Sequence, residues 1–193
     1  LSSMEEKLAQ RPSSCLKIVL FGPESTGKTT LSEDLSKYYS EPLVPEFMRK
    51  YLQKVWDLEQ RICEPQDILP IARGQMQLEN EKSRQADRLL ICDTDLLEIK
   101  VYSEAYYDNF VDPQLLKHAL NNEYALYFLT YIDVPWTPDD LRDKPHDREG
   151  MFQRFQQTLD EYQKPYMILK GDRQTRLNSA VKKIDQLLKT HNQ

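Results

Sequence analysis

The sequence predicts a single α/β domain with a parallel β-sheet that is covered by helices on both faces. Two observations on the 193-residue chain support this prediction. Short apolar runs recur along the chain and alternate with longer segments of helical spacing, and strands that alternate with helices in this way are typical of parallel sheets. The length and the hydrophobic content of 39% also suffice for one sizeable core but are short for two enzymatic domains.

Each apolar run has the length of a strand and each intervening segment the length of a helix. The predicted strands lie at residues 16–21, 43–44, 89–92, 125–132 and 166–169. The predicted helices lie at residues 27–39, 46–56, 66–88, 95–107, 113–122, 147–162 and 174–188. Residues 1–14 are polar and are expected to form a lead-in that is frayed or has a short helix over 5–10, so the domain itself spans 15–193.

The segment GPESTGKTT, residues 22–30, follows the first predicted strand and has the spacing G-x-x-x-x-G-K-[ST]. Glycines at both ends of such a loop let backbone N–H groups face a triphosphate, and the helix that follows adds its positive dipole end. A turn without a ligand is the alternative, but the complete motif after a strand favours a P-loop NTPase that binds a nucleoside triphosphate and Mg²⁺. ATP is the expected nucleotide, and the preference between ATP and GTP stays open. The predicted ATP-binding residues are Gly22, Glu24, Ser25, Thr26, Gly27, Lys28, Thr29 and Thr30.

Within this loop, Lys28 is expected to bridge the outer phosphates and the Thr29 hydroxyl to ligate Mg²⁺. The metal also needs a carboxylate at the end of a neighbouring strand, and Asp93 follows the third strand directly. Asp95 begins the pattern D-x-x-E with Glu98, so it either caps the next helix or binds substrate.

The acceptor of a phosphoryl group needs a carboxylate that orients its hydroxyl and takes its proton. Glu46 follows the second predicted strand, and Arg49 lies one helical turn further on, so both can face the acceptor. The alternative is a glutamate in the first helical turn that pairs with Arg49 and is stabilised by the helix dipole.

The connection over 134–155 is charge-dense, contains three prolines and has few aliphatic residues, so it is either a solvated connection or a lid, at about 136–155. Arg142 and Arg148 in this segment could stabilise the transferred phosphoryl group when the lid closes, or pair with the aspartates around them. The segment 170–176, KGDRQTR, either flanks an adenine ring or is a turn into the last helix.

Composition narrows the partners and the compartment. The 26 basic and 31 acidic residues give no general attraction to a polyanion, so no nucleic-acid partner is expected. The three cysteines lack disulfide or metal spacing, which indicates a reducing compartment and hence the cytoplasm. No run approaches the length of a membrane span, so no membrane partner is expected. The oligomeric state stays open.

Taken together, the segments GPESTGKTTL, PEFMRKY, ARGQ, CDTD, PWTPDDLR, DREGMFQRF and KGDRQTRL occur in an order that resembles the ribosylnicotinamide kinase domain of the NadR family. The resemblance extends over 17–188. It implies the fold of nucleoside monophosphate kinases, with a five-stranded sheet in the order 2-3-1-4-5, and a reaction in which ATP phosphorylates the 5′-hydroxyl of nicotinamide riboside. A kinase for another nucleoside or nucleotide, and a nucleotide-dependent ATPase or switch module, are the alternatives.

The resemblance also implies roles for single residues. Glu46 and Arg49 lie near the acceptor, Asp93 and Asp95 lie beside the metal and the ribose, and either Glu46 or Asp93 is the general base. A cationic nicotinamide ring suits an aromatic face. The candidates for that face are Phe47, Tyr51, Tyr102 and Trp136. Asp140 stands where relatives often have glycine, and the chain has no H-x-G-H motif, so the adenylyl transfer of NadR proteins is not expected here.

Overall fold

Five parallel strands form one sheet in the order β2-β3-β1-β4-β5. The structure is a computed structural model that describes residues 7–137 and 147–191. The strands are β1 (Leu16–Phe21), β2 (Leu43–Val44), β3 (Leu89–Asp93), β4 (Leu126–Thr130) and β5 (Tyr166–Leu169). The predicted fold class and strand order are therefore confirmed.

Helices cover both faces of this sheet. They are α1 (Lys28–Tyr39), α2 (Phe47–Glu59), α3 (Ile68–Gln85), α4 (Leu96–Tyr106), α5 (Pro113–Asn121), α6 (Arg148–Glu161) and α7 (Arg173–His191). None of them, within the described ranges, has the length and apolarity that crossing a bilayer requires.

Alternate residues of the central strand β1 point into two separate cores. Ile18 and Leu20 pack in the core beneath α1 and α7, whereas Val19 and Phe21 pack in the core on the opposite face, with side chains of α2 to α6. All six residues of β1 are buried. A strand that is covered on both faces is mostly apolar, and β1 has only Lys17, which pairs with Glu79, as a charged residue.

The register brings the polar ends of the strands together. Leu20 of β1 lies opposite Asp93 of β3, so β3 ends beside the start of the glycine-rich loop at Gly22. Ligands of open parallel sheets bind outside the carboxyl ends of the strands. The sheet therefore places Gly22 and Asp93 side by side at the carboxyl ends of its strands.

Several boundaries differ from the predictions. The predicted helix 66–88 is a 3₁₀ turn, Pro65–Asp67, followed by α3. The side chain of Asp67 accepts from the backbone N–H of Glu64 at 2.8 Å in a capping box, which fixes this start. Helix α2 extends to Glu59, beyond the predicted end at 56.

The described part of the lead-in is packed, where the sequence predicted a frayed segment or a short helix. Leu8 is fully buried in the core. Gln10 donates to the Glu79 carboxylate at 3.0 Å and Arg11 donates its N–H to Asn80 at 2.9 Å, so α3 anchors this segment. These contacts join residues about 70 positions apart, and no local pattern indicates them, which is why the packing was missed.

Gly74 of α3 lets helix α2 approach closely. A Cβ atom at this position would overlap the ring of Phe47, at the start of α2. We therefore expect Gly74→Ala to lower the free energy of unfolding by about 1–3 kcal/mol, because an extra methyl group in a packed contact forces its neighbours to move. Urea denaturation of both proteins measures the difference.

Gly150 provides a matched control on helix α6. A Cβ atom there would meet only the carboxylate of Asp147, which can rotate away. Alanine is a better helix former than glycine, so Gly150→Ala should leave the free energy of unfolding unchanged or raise it by up to about 1 kcal/mol. Equal destabilisation by the two variants would contradict the close contact at Gly74.

Candidate active site

The glycine-rich loop joins β1 to α1 and has the conformation that a phosphate-binding loop requires. Gly22 has φ +141, and a Cβ there would lie 2.9 Å from Thr130 Oγ1. Gly27 has φ 84 and forms the N-cap of α1. Both conformations are unfavourable for residues with a side chain. Thr26 closes the loop by donating its hydroxyl to the Pro23 carbonyl at 2.7 Å.

Lys28 is buried and held by two acceptors. Its Nζ donates to the Gly22 carbonyl and to Glu98 Oε2, both at 2.7 Å. Burial alone lowers the pKa of Lys28, but the carboxylates of Glu98, Glu46 and Asp93 outweigh this effect and raise the pKa above its usual value. The ammonium group is thus charged and stands among carboxylates.

Glu98 is a site residue that the sequence analysis considered only as a partner in a helix cap. Besides Lys28, its carboxylate accepts from the Gly22 N–H at 2.9 Å and from the Thr94 hydroxyl at 2.7 Å. Glu98 therefore connects helix α4 to Lys28 and to the backbone of Gly22, whose carbonyl also accepts from Lys28. The pattern C-D-T-D-x-x-E contained the signal, since a carboxylate one turn into α4 faces the same strand end as Asp93.

The arrangement of Asp93 and Thr29 fits a metal ion. The Thr29 hydroxyl donates to Asp93 Oδ2 at 2.8 Å, while Asp93 Oδ1 is buried and has no hydrogen-bond partner among the described residues. Burial raises the pKa of Asp93, and Lys28 and the Thr29 hydroxyl oppose the rise. An unsatisfied carboxylate oxygen beside a hydroxyl provides oxygen ligands of the kind that Mg²⁺ prefers.

Asp95 lies outside this cluster. Its carboxylate accepts from the Glu98 N–H at 3.0 Å and from the Tyr127 hydroxyl at 2.7 Å. Burial raises the pKa of Asp95 to about 7, although these hydrogen bonds oppose the rise. Because both oxygens are engaged and the residue is 1% exposed, the geometry favours the capping alternative over contact with a substrate.

Two clefts open from the glycine-rich loop. The phosphate cleft is lined by loop residues 24–30, Asp93 and residues of α2 that include Arg49. The aromatic cleft lies between the loop, α4 and α6. It is lined by Tyr102, Tyr106, Trp136, Met151, Phe155 and Ile99, together with Glu98. Lys28, Glu46, Glu24 and Met48 line both clefts.

Glu46 stands at the boundary between the clefts, as the residue that precedes α2. Desolvation and the neighbouring carboxylates of Asp93 and Glu98 raise the pKa of Glu46 above its ordinary value, although Lys28 opposes the rise. Its side chain does not cap helix α2. The carboxylate can therefore accept a proton from a group that lies between the two clefts.

Of the two arginines of the predicted lid, the structure describes Arg148 but not Arg142. Arg148, the first residue of α6, lines the aromatic cleft and donates from Nη2 to the Ser25 carbonyl at 3.3 Å. Its Nε is buried and has no hydrogen-bond partner in the part of the chain that the structure describes. The guanidinium group thus lies against the phosphate-binding loop.

Arg176 of α7 is a second residue whose role the sequence analysis missed. Its guanidinium donates to the Thr26 carbonyl, to the Tyr131 carbonyl at 3.0 Å and to the Asp133 carboxylate. Arg176 is 3% exposed. It fastens the glycine-rich loop to the segment after β4, so the segment 170–176 is more than a turn into the last helix.

The structure also separates the aromatic candidates. Tyr102 and Trp136 line the aromatic cleft, and the Tyr102 ring stacks on that of Tyr106 with centroids 4.4 Å apart. Phe47 packs against Gly74, and the Tyr51 hydroxyl donates to Asp67 at 2.9 Å. Among the described residues, neither Phe47 nor Tyr51 lines the phosphate cleft or the aromatic cleft.

Comparison with known proteins finds one matching protein family and several solved structures with the same fold. The family model AAA_28, described as an AAA domain, matches residues 17–176. No curated protein matches the sequence.

Solved structures share the fold at low sequence identity. A structure described as NadR protein in complex with NR has a TM-score of 0.71 at 19% identity and covers 89% of this chain and 51% of its own. NadR protein in complex with NAD and AMP-PNP has a TM-score of 0.72 at 19% identity, with 89% of this chain and 49% of its own covered. Deoxyadenosine kinase from M. mycoides has a TM-score of 0.63 at 16% identity and covers 89% of this chain and 100% of its own.

These comparisons confirm the predicted P-loop kinase fold. The present chain spans about half the length of the two NadR chains.

Proposed function

The chain belongs to the AAA_28 family, and we propose that it is an ATP-dependent kinase that phosphorylates the 5′-hydroxyl of nicotinamide riboside. The observation that carries the proposal is the presence of two clefts with a shared wall, at which Lys28 and Glu46 stand together. One cleft suits the triphosphate, and the other suits an uncharged or cationic ring. A phosphoryl group that passes between them crosses the shared wall.

The donor half of the site consists of the glycine-rich loop and the residues around it. ATP would place its outer phosphates against the loop N–H groups, and Lys28 would exchange its contact with Glu98 for a phosphate oxygen. The similar NadR structure contains AMP-PNP, an ATP analogue, and the similar deoxyadenosine kinase is a kinase by name. Both support ATP as the donor.

Thr29 and Asp93 are the residues that would hold Mg²⁺. When it is bound, Mg²⁺ neutralises charge on the outer phosphates. Because the Asp93 carboxylate would be a ligand of Mg²⁺, it is poorly placed to accept a proton from the acceptor. We therefore assign the general base to Glu46, which faces both clefts.

In the transfer step, the acceptor hydroxyl attacks the γ-phosphorus of ATP and gives its proton to the Glu46 carboxylate. The bond from the γ-phosphorus to the bridging oxygen breaks, and ADP leaves. Lys28 and Arg148 stabilise the charge on the transferred group, since both lie against the loop.

The lining of the aromatic cleft favours a phosphoryl acceptor whose nucleobase is a cationic ring. Tyr102, Tyr106 and Trp136 offer ring faces, and the carboxylates of Glu46 and Glu98 make the cleft electronegative. A pyridinium ring gains from both features. NR is the ligand of the similar NadR structure, and in this chain we propose that Tyr102 and Trp136 contact the nicotinamide ring. The cytoplasmic location and the small-molecule partner stay predictions.

An ATPase or switch module that acts on a protein partner is the second candidate, and the AAA domain description of the family fits it. Such a module needs the phosphate cleft but not a second, aromatic cleft beside its catalytic lysine. The aromatic cleft therefore favours the kinase.

A panel of acceptors tests the proposed function. With ATP and Mg²⁺, kcat/KM is measured for nicotinamide riboside, thymidine, deoxyadenosine and nicotinamide mononucleotide. We expect nicotinamide riboside to be the best substrate and the mononucleotide to be inactive. A neutral nucleoside as the best substrate would place the chain among other nucleoside kinases, and no turnover with any acceptor would contradict the kinase proposal.

Arg148→Ala should lower kcat by roughly 10²-fold, because a charged donor to the transferred phosphoryl group is lost. The measurement is steady-state phosphorylation by a preparation that is monomeric by light scattering. Arg154→Ala, a change on an exposed position of the same helix, serves as the control and should stay within twofold of the wild type. If Arg148→Ala retains full activity in this preparation, the arginine does not act in cis.

A further inference from the structure

The segment that contains Glu46 is held by a side chain from another helix. Gln75 lies in α3 and is 1% exposed. Its Oε1 accepts from the Phe47 N–H at 2.9 Å, and its Nε2 donates to the Pro45 carbonyl at 3.2 Å. The two hydrogen bonds lie on either side of Glu46, so they fix the backbone that carries its carboxylate.

These bonds replace the cap that Glu46 would otherwise provide. Glu46 is the N-cap residue of α2, with φ −72 and ψ 104, and its side chain makes no capping hydrogen bond. The first N–H groups of a helix have no partner within the helix, and side chains at the N-cap commonly satisfy them. Here the amide of Gln75 satisfies the first of them, which leaves the Glu46 carboxylate at the shared wall of the clefts.

Gln75 has no direct access to a ligand. Neither cleft includes it among its lining residues in the described part of the chain, and its neighbour Gly74 is the close contact of α3 with Phe47. A buried polar side chain in a helix usually has a definite partner, because an unsatisfied amide is costly. Its partners here are the backbone groups on both sides of Glu46.

We propose that Gln75 is a positioning residue of this kinase: it caps helix α2 from α3 and thereby holds Glu46 in place for proton transfer. The inference rests on the proposed function for its catalytic part. Its structural part, the cap, stands independently of the substrate.

The test combines one variant with a double-mutant cycle. Gln75→Met keeps the length of the side chain and removes both hydrogen bonds. We expect kcat to fall by roughly 10²-fold, as for a misplaced catalytic group, with KM for ATP unchanged. In a Glu46→Gln background, Gln75→Met should have no further effect on kcat. An equal fall in both backgrounds, or a raised KM for ATP alone, would overturn the proposal.

Hydrogen exchange provides a readout that does not depend on activity. The Phe47 amide should be protected in the wild type and exchange at least 10-fold faster in Gln75→Met, since an unsatisfied N–H at a helix start exchanges readily. Gln75→Glu restores an acceptor and should regain part of the protection and of kcat. Ser83→Ala is the control on the same helix, because the Ser83 hydroxyl donates within α3, to the Asn80 carbonyl at 2.9 Å, and to no other group among the described residues.

The outcomes separate the two proposals. A wild-type protein that phosphorylates no nucleoside overturns the proposed function, and Phe47 exchange then decides the cap alone. An active wild type with an unprotected Phe47 amide, or with unchanged exchange in Gln75→Met, overturns the cap and leaves the kinase standing.

Discussion

Lys28→Met is expected to lower kcat by roughly 10³-fold, because a buried, charged donor to the outer phosphates is lost. Lys28 stands where both clefts meet, with its Nζ at 2.7 Å from the Gly22 carbonyl. Loss of Lys28 should lower kcat by a larger factor than it raises KM for the acceptor. Steady-state phosphorylation, with KM measured for both substrates, provides the test.

The control must separate chemistry from stability. Lys28→Met leaves the Glu98 carboxylate buried without its cation, which by itself destabilises the fold. The double variant Lys28→Met with Glu98→Gln should regain stability in thermal unfolding and remain as inactive as the single variant. Recovery of activity in the double variant, or a single variant within 10-fold of the wild type, would show that Lys28 is not required for transfer.

Glu46→Gln is expected to lower kcat by roughly 10³-fold, the range for loss of a general base. The base must be deprotonated to act, and the pKa of Glu46 is raised. In the wild type, kcat/KM should therefore fall as the pH decreases through a value well above about 4.3, the ordinary pKa of a glutamate. In Glu46→Gln this acid limb should disappear. The pH profile of kcat/KM measures both effects.

Two further variants distinguish Glu46 from other carboxylates. Glu59→Gln changes the last residue of the same helix, outside both clefts, and should leave kcat within twofold of the wild type. Asp93→Asn should raise the Mg²⁺ concentration needed for half-maximal activity and keep the acid limb. An acid limb that disappears in Asp93→Asn and persists in Glu46→Gln would identify Asp93 as the base.

The fold class could be predicted from the sequence because strands, helices and the glycine-rich loop each have a local sequence pattern. A strand that is buried on both faces is mostly apolar, as β1 is apart from Lys17, and the spacing of Gly22, Gly27 and Lys28 marks the loop that follows it. The strand order came from the resemblance, because pairing between distant strands has no local signature. Helix ends were displaced where a tertiary contact or a capping box, such as that of Glu64 and Asp67, decides the boundary.

The site could be predicted only in part, because some of its residues have partners that are distant in the sequence. Residues next to a strand end, such as Asp93, can be inferred from position alone. Arg176 and Gln75 act on backbone groups that are distant in the sequence, Thr26 and Phe47 respectively. Nothing in the local sequence around either residue indicates such a partner. Asp95 shows the converse, since the local pattern D-x-x-E predicted the helix cap that its carboxylate forms with the Glu98 N–H.

The central claim is that the two clefts exchange a phosphoryl group, and the fate of a labelled γ-phosphate tests it most directly. The protein is incubated with γ-labelled ATP, Mg²⁺ and nicotinamide riboside, and the products are separated. We predict that most of the label appears in nicotinamide mononucleotide and little in inorganic phosphate. Label that appears only in inorganic phosphate, at a rate that the nucleoside does not change, would contradict the claim and indicate an ATPase.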